Sequence, residues 1–223
     1  MNEIEKTGQA EFDFAAPNPA QKEPSALPPF LRQEGFYFVA LGGAEKVGMN
    51  MYAYLSDGRI IVVDAGYDFL NDDFPGMELG LADPAWLESY RDCIDAMFIT
   101  HSHEDHFGAI AHIWPRLRCP VYATDFTIGH ILPRLREYKL ENEVELISVN
   151  QNPVVKLPDF EVEYVPVVHS LPENSALRIK TKYGTVFHAT DWRFDDCHID
   201  FMKTSYDRLN QVGEQGVDLY VGD

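Results

Sequence analysis

The 223-residue chain is short of cysteine and of positive charge, and each shortage narrows what it can be. Its three cysteines, Cys93, Cys119 and Cys197, are odd in number and widely spaced, with no Cys-x-x-Cys pair. Neither a disulfide framework nor a thiolate metal site is expected. Lys and Arg total 18 against 36 Asp and Glu, a formal net charge of −18. That balance works against a polyanionic substrate, whose phosphates are ordinarily met by Lys and Arg. Two bound divalent cations would add about +4 locally, and a cation often dominates the field of its own site, so the objection is weakened rather than removed. No apolar run approaches the ~18 residues of a membrane helix. The opening MNEIEKTGQAEFDF has neither the basic start nor the apolar stretch of a secretory signal. The expectation is a cytoplasmic protein with no membrane partner. There is no Gly-x-Ser-x-Gly elbow, and the glycine-rich LGGAEKVG (41–48) lacks the Gly-Lys-Ser/Thr ending of a phosphate loop. It reads as a tight turn between strands. Covalent catalysis by a protein nucleophile is unsupported.

Residues 1–30 carry Pro17, Pro19, Pro24, Pro28 and Pro29 and no hydrophobic period, which predicts a flexible tail. The texture then changes, and residues 31–223 are expected to form one α/β domain. FYFVAL (36–41), MNMYAYL (49–55) and RIIVVD (59–64) read as strands, the last two joined through Ser56-Asp57-Gly58. Asp83 caps a helix that Pro84 opens, over 84–94. A short buried strand (96–100) follows, then a helix over 106–117 that Pro115 should end. Next come a strand (120–124) and a helix (125–138) kinked near Pro133. Strands are expected at 143–149, 160–168, 175–181 and 184–190, then a helix within 203–215 and a strand at 217–222. Two batches of strands, each with helices, predict an αββα sandwich.

The densest chemistry is His101-Ser102-His103-Glu104-Asp105-His106, on a loop directly after a buried strand. His101 and His103 share a side by the two-residue alternation of extended chain, while Asp105 and His106 turn toward a second position. Imidazole with carboxylate suits zinc, and manganese is the second candidate. The bland alternative is a solvated loop with Asp105 as a helix cap. The full His-x-His-x-Asp-His string outweighs it. His169 and Asp191 each stand at the end of a strand, where an open sheet edge collects functional groups, and Asp191 has two oxygens with which to bridge two cations. Asp64 ends a third such strand, and its expected role is to orient a histidine from behind. His188 lies three residues before Asp191 and is a further supporting candidate. His112 and His130 read as packing or surface residues, and His198 as exposed.

These residues resemble the metallo-β-lactamase superfamily, whose four motifs match Asp64, the 101–106 string, His169 and Asp191. Within it the chain is more similar to the ribonuclease J branch of the β-CASP nucleases, in its alphaproteobacterial form. The strings that carry this are LGGAEKVGMNMYAY, PGMELGLADPAWLE, FITHSHEDHFGAIAHIWPRL, VYATDFT and HSLPENSALRIKTKYGTVFHATDW, which together span about 36–195. The resemblance implies that His101, His103 and His169 hold one metal ion, that Asp105 and His106 hold a second, and that Asp191 bridges. It implies hydrolysis of RNA, as a 5′-to-3′ exonuclease and an endonuclease, by metal-activated water. Asp105 and Asp191 would be the catalytic carboxylates. The branch more often has Thr-Gly-Asp where Ala-Thr-Asp-Trp stands here, so Thr190 replaces a glycine.

Branch members continue into a β-CASP domain, the rest of the lactamase domain and a C-terminal domain. The expectation is therefore an N-terminal portion of a longer protein, ending at the acidic residue that opens the first β-CASP motif. The rest would carry a last metal-ligand histidine, the pocket for the RNA 5′ phosphate and the surfaces for homo-oligomer formation. Two other readings stand beside this one. The first is a hydrolase of the same fold acting on a thioester or lactam, and the second a non-catalytic subunit that binds RNA or protein.

Overall fold

A computed structural model describes residues 34–44, 46–70, 74–150, 153–195 and 203–222. The expected N-terminal tail, Cys197 and His198 lie outside the described residues. The strands are β1 (Phe36–Gly42), β2 (Met51–Ser56), β3 (Arg59–Val63), β4 (Tyr67–Phe69), β5 (Leu79–Leu81), β6 (Ile94–Phe98), β7 (Val121–Ala123) and β8 (Leu146–Ser148) in the first half. The second half has β9 (Val154–Lys156), β10 (Glu161–Pro166), β11 (Ser175–Thr181), β12 (Gly184–Thr190) and β13 (Leu219–Gly222). The helices are α1 (Ala85–Glu88), α2 (Glu104–Phe107), α3 (Ile110–Leu117), α4 (Asp125–Glu137) and α5 (Tyr206–Gln215).

One sheet has the order β1-β2-β3-β6-β7-β8, the other β13-β12-β11-β10-β9, and β4 and β5 form a separate hairpin. The layering follows from the period of two. Along β3, Ile60 and Val62 point to the helix side with Leu87, Ile110, Ile113 and Leu117, while Ile61 and Val63 point to the other sheet. There they meet Tyr54, Phe98, Val162, Tyr164, Leu177 and Ile179. The central strands are buried on both faces, hence their unbroken apolar runs. Each such Ile or Val contributes roughly 1.5–3 kcal/mol on burial. On the far face of the second sheet, Val165, Val167, Ala176 and Ala189 pack under Val212 of α5. This is the αββα sandwich expected.

The strand pairs β3–β6, β6–β7 and β7–β8 are parallel, joined by crossovers that carry helices. Their carboxyl ends share one edge, and in open α/β sheets that edge binds ligands.

Some expected elements differ. The helix over 84–94 is one α-turn plus a 3-10 turn at Arg91–Cys93, although Asp83 Oδ1 does accept the Ala85 N–H at 2.9 Å. Pro115 does not end α3, because a proline removes only one N–H. The helix closes instead at Arg118 in left-handed backbone, and Trp114 Nε1 donates to the Cys119 carbonyl at 2.7 Å. The helix expected over 106–117 is divided into α2 and α3, and the strand expected over 143–149 shrinks to β8.

Candidate metal centre

Four chain segments reach one edge of the sandwich. Asp64 follows β3, residues 100–106 follow β6, His169 lies just beyond β10, and Asp191 follows β12. Backbone bonds knit them together. Asp64 N donates to the Phe98 carbonyl at 2.9 Å, Ala65 N to His106 at 2.6 Å and Ser175 N to Thr100 at 3.3 Å. Gly66 permits the closest approach. A Cβ there would collide with the Asp105 carbonyl, so only glycine lets the 64–66 and 105–106 backbones touch.

The side chains converge in two sets that share one member. Donor atoms of His101, His103, His169 and Asp191 all lie within 4.8 Å of one another, and so do those of Asp105, His106 and Asp191. His101 Nε2 is 3.0 Å from His103 Nδ1, which is 3.1 Å from His169 Nε2. Asp191 Oδ2 lies 3.8 Å from His169 Nε2 and 3.5 Å from His106 Nε2, and Asp105 Oδ2 lies 3.6 Å from that nitrogen.

Thr100 and Asp64 set the rings from behind. The Thr100 hydroxyl donates to Asp64 at 3.0 Å and accepts from Thr190 Oγ1 at 3.1 Å. It also lies 3.0 Å from His101 Nδ1. A hydroxyl has one proton and two lone pairs, so His101 Nδ1 is the donor here and Nε2 turns its lone pair to the mouth. The fully buried Asp64 accepts the Thr100 N–H at 2.9 Å and holds His106 Nδ1 at 2.8 Å, leaving His106 Nε2 facing the carboxylates. Ser170 Oγ meets His103 Nε2 at 3.0 Å, which leaves Nδ1 for the cluster. Asn174 Nδ2 donates to the Asp191 carbonyl at 2.8 Å and reaches that of Val167 at 3.4 Å, tying the segment before His169 to Asp191.

The electrostatics follow. Burial, then the neighbouring imidazoles His106, His103 and His169, push His101 far below the usual histidine range. His103 and His169 are lowered, first by burial. Burial also opposes charge on His106, but Asp64 and Asp191 outweigh it and raise that ring to about 10. Burial pushes the Asp191 carboxyl up, yet its hydrogen bond to His106 and the nearby imidazoles leave it below the ordinary value. Three neutral imidazoles with nitrogens about 3 Å apart fit a divalent cation. They hold unshared pairs face to face that nothing but a proton or a metal ion would reconcile. The donor chemistry suits such an ion.

His188 is buried, its Nδ1 2.9 Å from Tyr54 Oη, with the Tyr52 ring edge-on at 4.9 Å. Burial holds its pKa down at about 4. His112 and His130 are exposed. Sequence reasoning gave no role to Asn50, Thr100, Ser170, Glu173 or Asn174. Glu173 Oε2 accepts the Phe126 N–H at 2.9 Å in the first turn of α4, a cap supplied from 47 residues away.

A family model described as a beta-lactamase superfamily domain matches residues 59–206. Ribonuclease J of Sinorhizobium meliloti is 39% identical over 190 residues, covering 83% of this chain and 34% of that protein. Ribonuclease J of Mycolicibacterium smegmatis is 36% identical over 199 residues, 89% of this chain and 35% of that one. The chain thus spans about a third of the length of these relatives. The metallo-beta-lactamase fold protein YhfI from Bacillus subtilis superposes with a TM-score of 0.54 at 18% identity, covering 74% of this chain and 65% of that one, a likeness of fold alone. Since the family model takes in the residues of the histidine loop, His169 and Asp191 alike, the chain belongs to the beta-lactamase superfamily.

Proposed function

We propose that this chain is the metal-holding part of a ribonuclease that hydrolyses RNA phosphodiesters with two divalent cations. The observation that carries the reading is the pair of donor sets sharing Asp191 at the open edge of the sandwich. The similarity to proteins named ribonuclease J supports RNA as the substrate class. In this reading residues 31–223 belong to the catalytic domain. His101, His103 and His169 hold the first ion, zinc by donor type, and Asp105 and His106 the second, with Asp191 between them. When bound, the two ions supply Lewis-acid charge that makes water a competent nucleophile near neutral pH and offsets charge building on the phosphoryl oxygens.

The chain's own groups do the rest. Asp64 and Thr100 keep His106 and His101 from turning. Asp105, part-exposed at the mouth, orients the attacking water and takes its proton. Asp191 fixes the spacing of the two donor sets. The net charge of −18 leaves this part of the protein little basic surface for RNA, so within it the cations are what meet the phosphate.

The test offers the protein 5′-monophosphorylated RNA, a chromogenic lactam and a glutathione thioester, each with Zn2+ or Mn2+ and with chelator. RNA cleavage that the chelator stops, and that His101→Ala and Asp105→Ala both abolish, is the expected result. Cleavage of the thioester or lactam alone, or RNA cleavage surviving both substitutions, overturns the reading.

A further inference from the structure

Among the described residues, Asn50 is an amide whose side chain meets side chains of the second donor set. Its Nδ2 donates to Asp105 Oδ2 at 3.3 Å and lies 3.1 Å from His106 Nε2, and its Oδ1 accepts from Tyr52 Oη at 2.9 Å. The position is held by the backbone on both sides. Asn50 N–H donates to the Asp105 carbonyl at 2.9 Å, and the Asn50 carbonyl accepts from Gly66 at 3.0 Å. Gly43, in left-handed backbone, closes over the pair. A Cβ there would strike both Asn50 Oδ1 and Tyr52 Oη, so the turn after β1 is shaped around this amide.

The two ends of a carboxamide are nearly isosteric, and a half-turn about χ2 exchanges a donor for an acceptor in the same place. Tyr52 can follow, because its hydroxyl donates to an oxygen or accepts from an N–H equally well. The spacing suits the exchange. Two donors at right angles, each about 2.1 Å from one ion, lie about 3.0 Å apart. The amide sits 3.1 and 3.3 Å from the two neighbouring donors.

We infer that Asn50 is a fourth ligand from this chain at the second cation position, its amide turning over to present Oδ1 as a cation takes the place of its hydrogen bond to Asp105 and of the His106 proton. This rests on the two-cation reading above. Among the described residues the second position then has one imidazole nitrogen and three oxygens, from Asp105, Asp191 and Asn50, beside the last histidine that the resemblance places further along, whereas the first has three imidazoles and one carboxylate. Oxygen-rich donor sets suit harder ions such as manganese or magnesium, and imidazole-rich ones suit zinc. The centre is therefore asymmetric. It takes zinc in the first position and discriminates toward Mn2+ in the second, and Asn50 supplies that preference.

The experiment titrates the full chain with Mn2+, and separately with Zn2+, by calorimetry, and counts bound Mn2+ by electron paramagnetic resonance. The parent should take up two equivalents. Asn50→Ala should keep the first and weaken the second at least tenfold for Mn2+, with a smaller loss for Zn2+. Asn50→Asp, which puts an oxygen in the same place, should keep both, and Tyr52→Phe should weaken the second alone. Asn50→Ala binding both Mn2+ equivalents at the parent's affinity overturns the inference and leaves the two-cation reading standing. So does Asn50→Asp losing the second equivalent as fully as alanine does, which also covers an alanine variant that fails to fold. A parent that takes up neither metal overturns the two-cation reading itself, and the inference falls with it.

Discussion

Thr190 donates its hydroxyl to Thr100 Oγ1 across 3.1 Å, from a backbone at φ 55° that β-branched residues seldom adopt. The strain and the hydrogen bond are parts of one arrangement. Left-handed backbone costs an L-residue roughly 1–2 kcal/mol, and here it aims the hydroxyl at the group that orients both Asp64 and His101. Thr190→Gly removes the strain but loses a bond worth about 1 kcal/mol and adds chain entropy worth about 0.5–1 kcal/mol. Urea unfolding should place it within about 1 kcal/mol of the parent. Thr190→Val keeps the strain and loses the bond, and should be less stable by about 1–2 kcal/mol. A valine variant as stable as the parent would contradict this account.

Asp64 is fully buried and receives the Thr100 amide, the Thr100 hydroxyl and His106 Nδ1. Asp64→Ala strands all three and should cost about 3–5 kcal/mol. Asp64→Asn keeps the shape, but an amide has one accepting end, so it must turn an N–H toward Thr100 or His106. It should fold and yet bind metal 10–100-fold more weakly, the scale on which groups behind a ligand act. Unchanged metal affinity in the folded Asn variant would show that the ring orientation does not depend on Asp64.

The two donor sets should differ in proton release. His101, His103 and His169 are all lowered, so they are neutral near pH 7 and a cation meets free nitrogen lone pairs. His106 is raised to about 10, against the effect of burial, by Asp64 and Asp191. Below that pH it holds a proton, and a cation must displace it. Affinity for the second equivalent should therefore rise with pH and level off above about 10, while the first changes little near neutrality. Calorimetry at pH 7 in two buffers of different ionisation enthalpy should show about one proton released with the second equivalent and none with the first. A second equivalent whose heat ignores the buffer would refute the assignment.

What the sequence disclosed and what it hid have physical causes. The 101–106 string was legible because its chemistry is contiguous. Asp64, His169 and Asp191 were legible because each ends an apolar run, and the parallel order of β3 and β6 brings such ends to one edge. Asn50 was not, since a lone Asn at the start of the strand expected over 49–55 carries no ligand signal of its own, and its partners are 55 and 56 residues away. The β4–β5 hairpin was missed because three-residue strands carry too little alternation to register. Pro115 and Pro133 both sit inside helices, where tertiary burial of Trp114, Leu117 and Leu135 outweighs a local breaking tendency.

Two glycines with opposite surroundings separate close approach from helix propensity. A Cβ on Gly66 would meet the Asp105 carbonyl and the His106 amide nitrogen, both backbone, the first accepting from the Asn50 N–H and the second donating to the His103 carbonyl. Neither can yield without moving the histidine loop. Gly66→Ala should cost at least the roughly 1–3 kcal/mol typical of overpacking and should weaken both metal equivalents together. Gly129, on the exposed face of α4, has nothing within 4 Å of a built Cβ. Gly129→Ala should gain about 0.5–1 kcal/mol from helix propensity and leave metal binding untouched. Thermal unfolding with and without Mn2+ measures both effects. The contact between the two backbones would be irrelevant to the site if Gly66→Ala bound metal as the parent does.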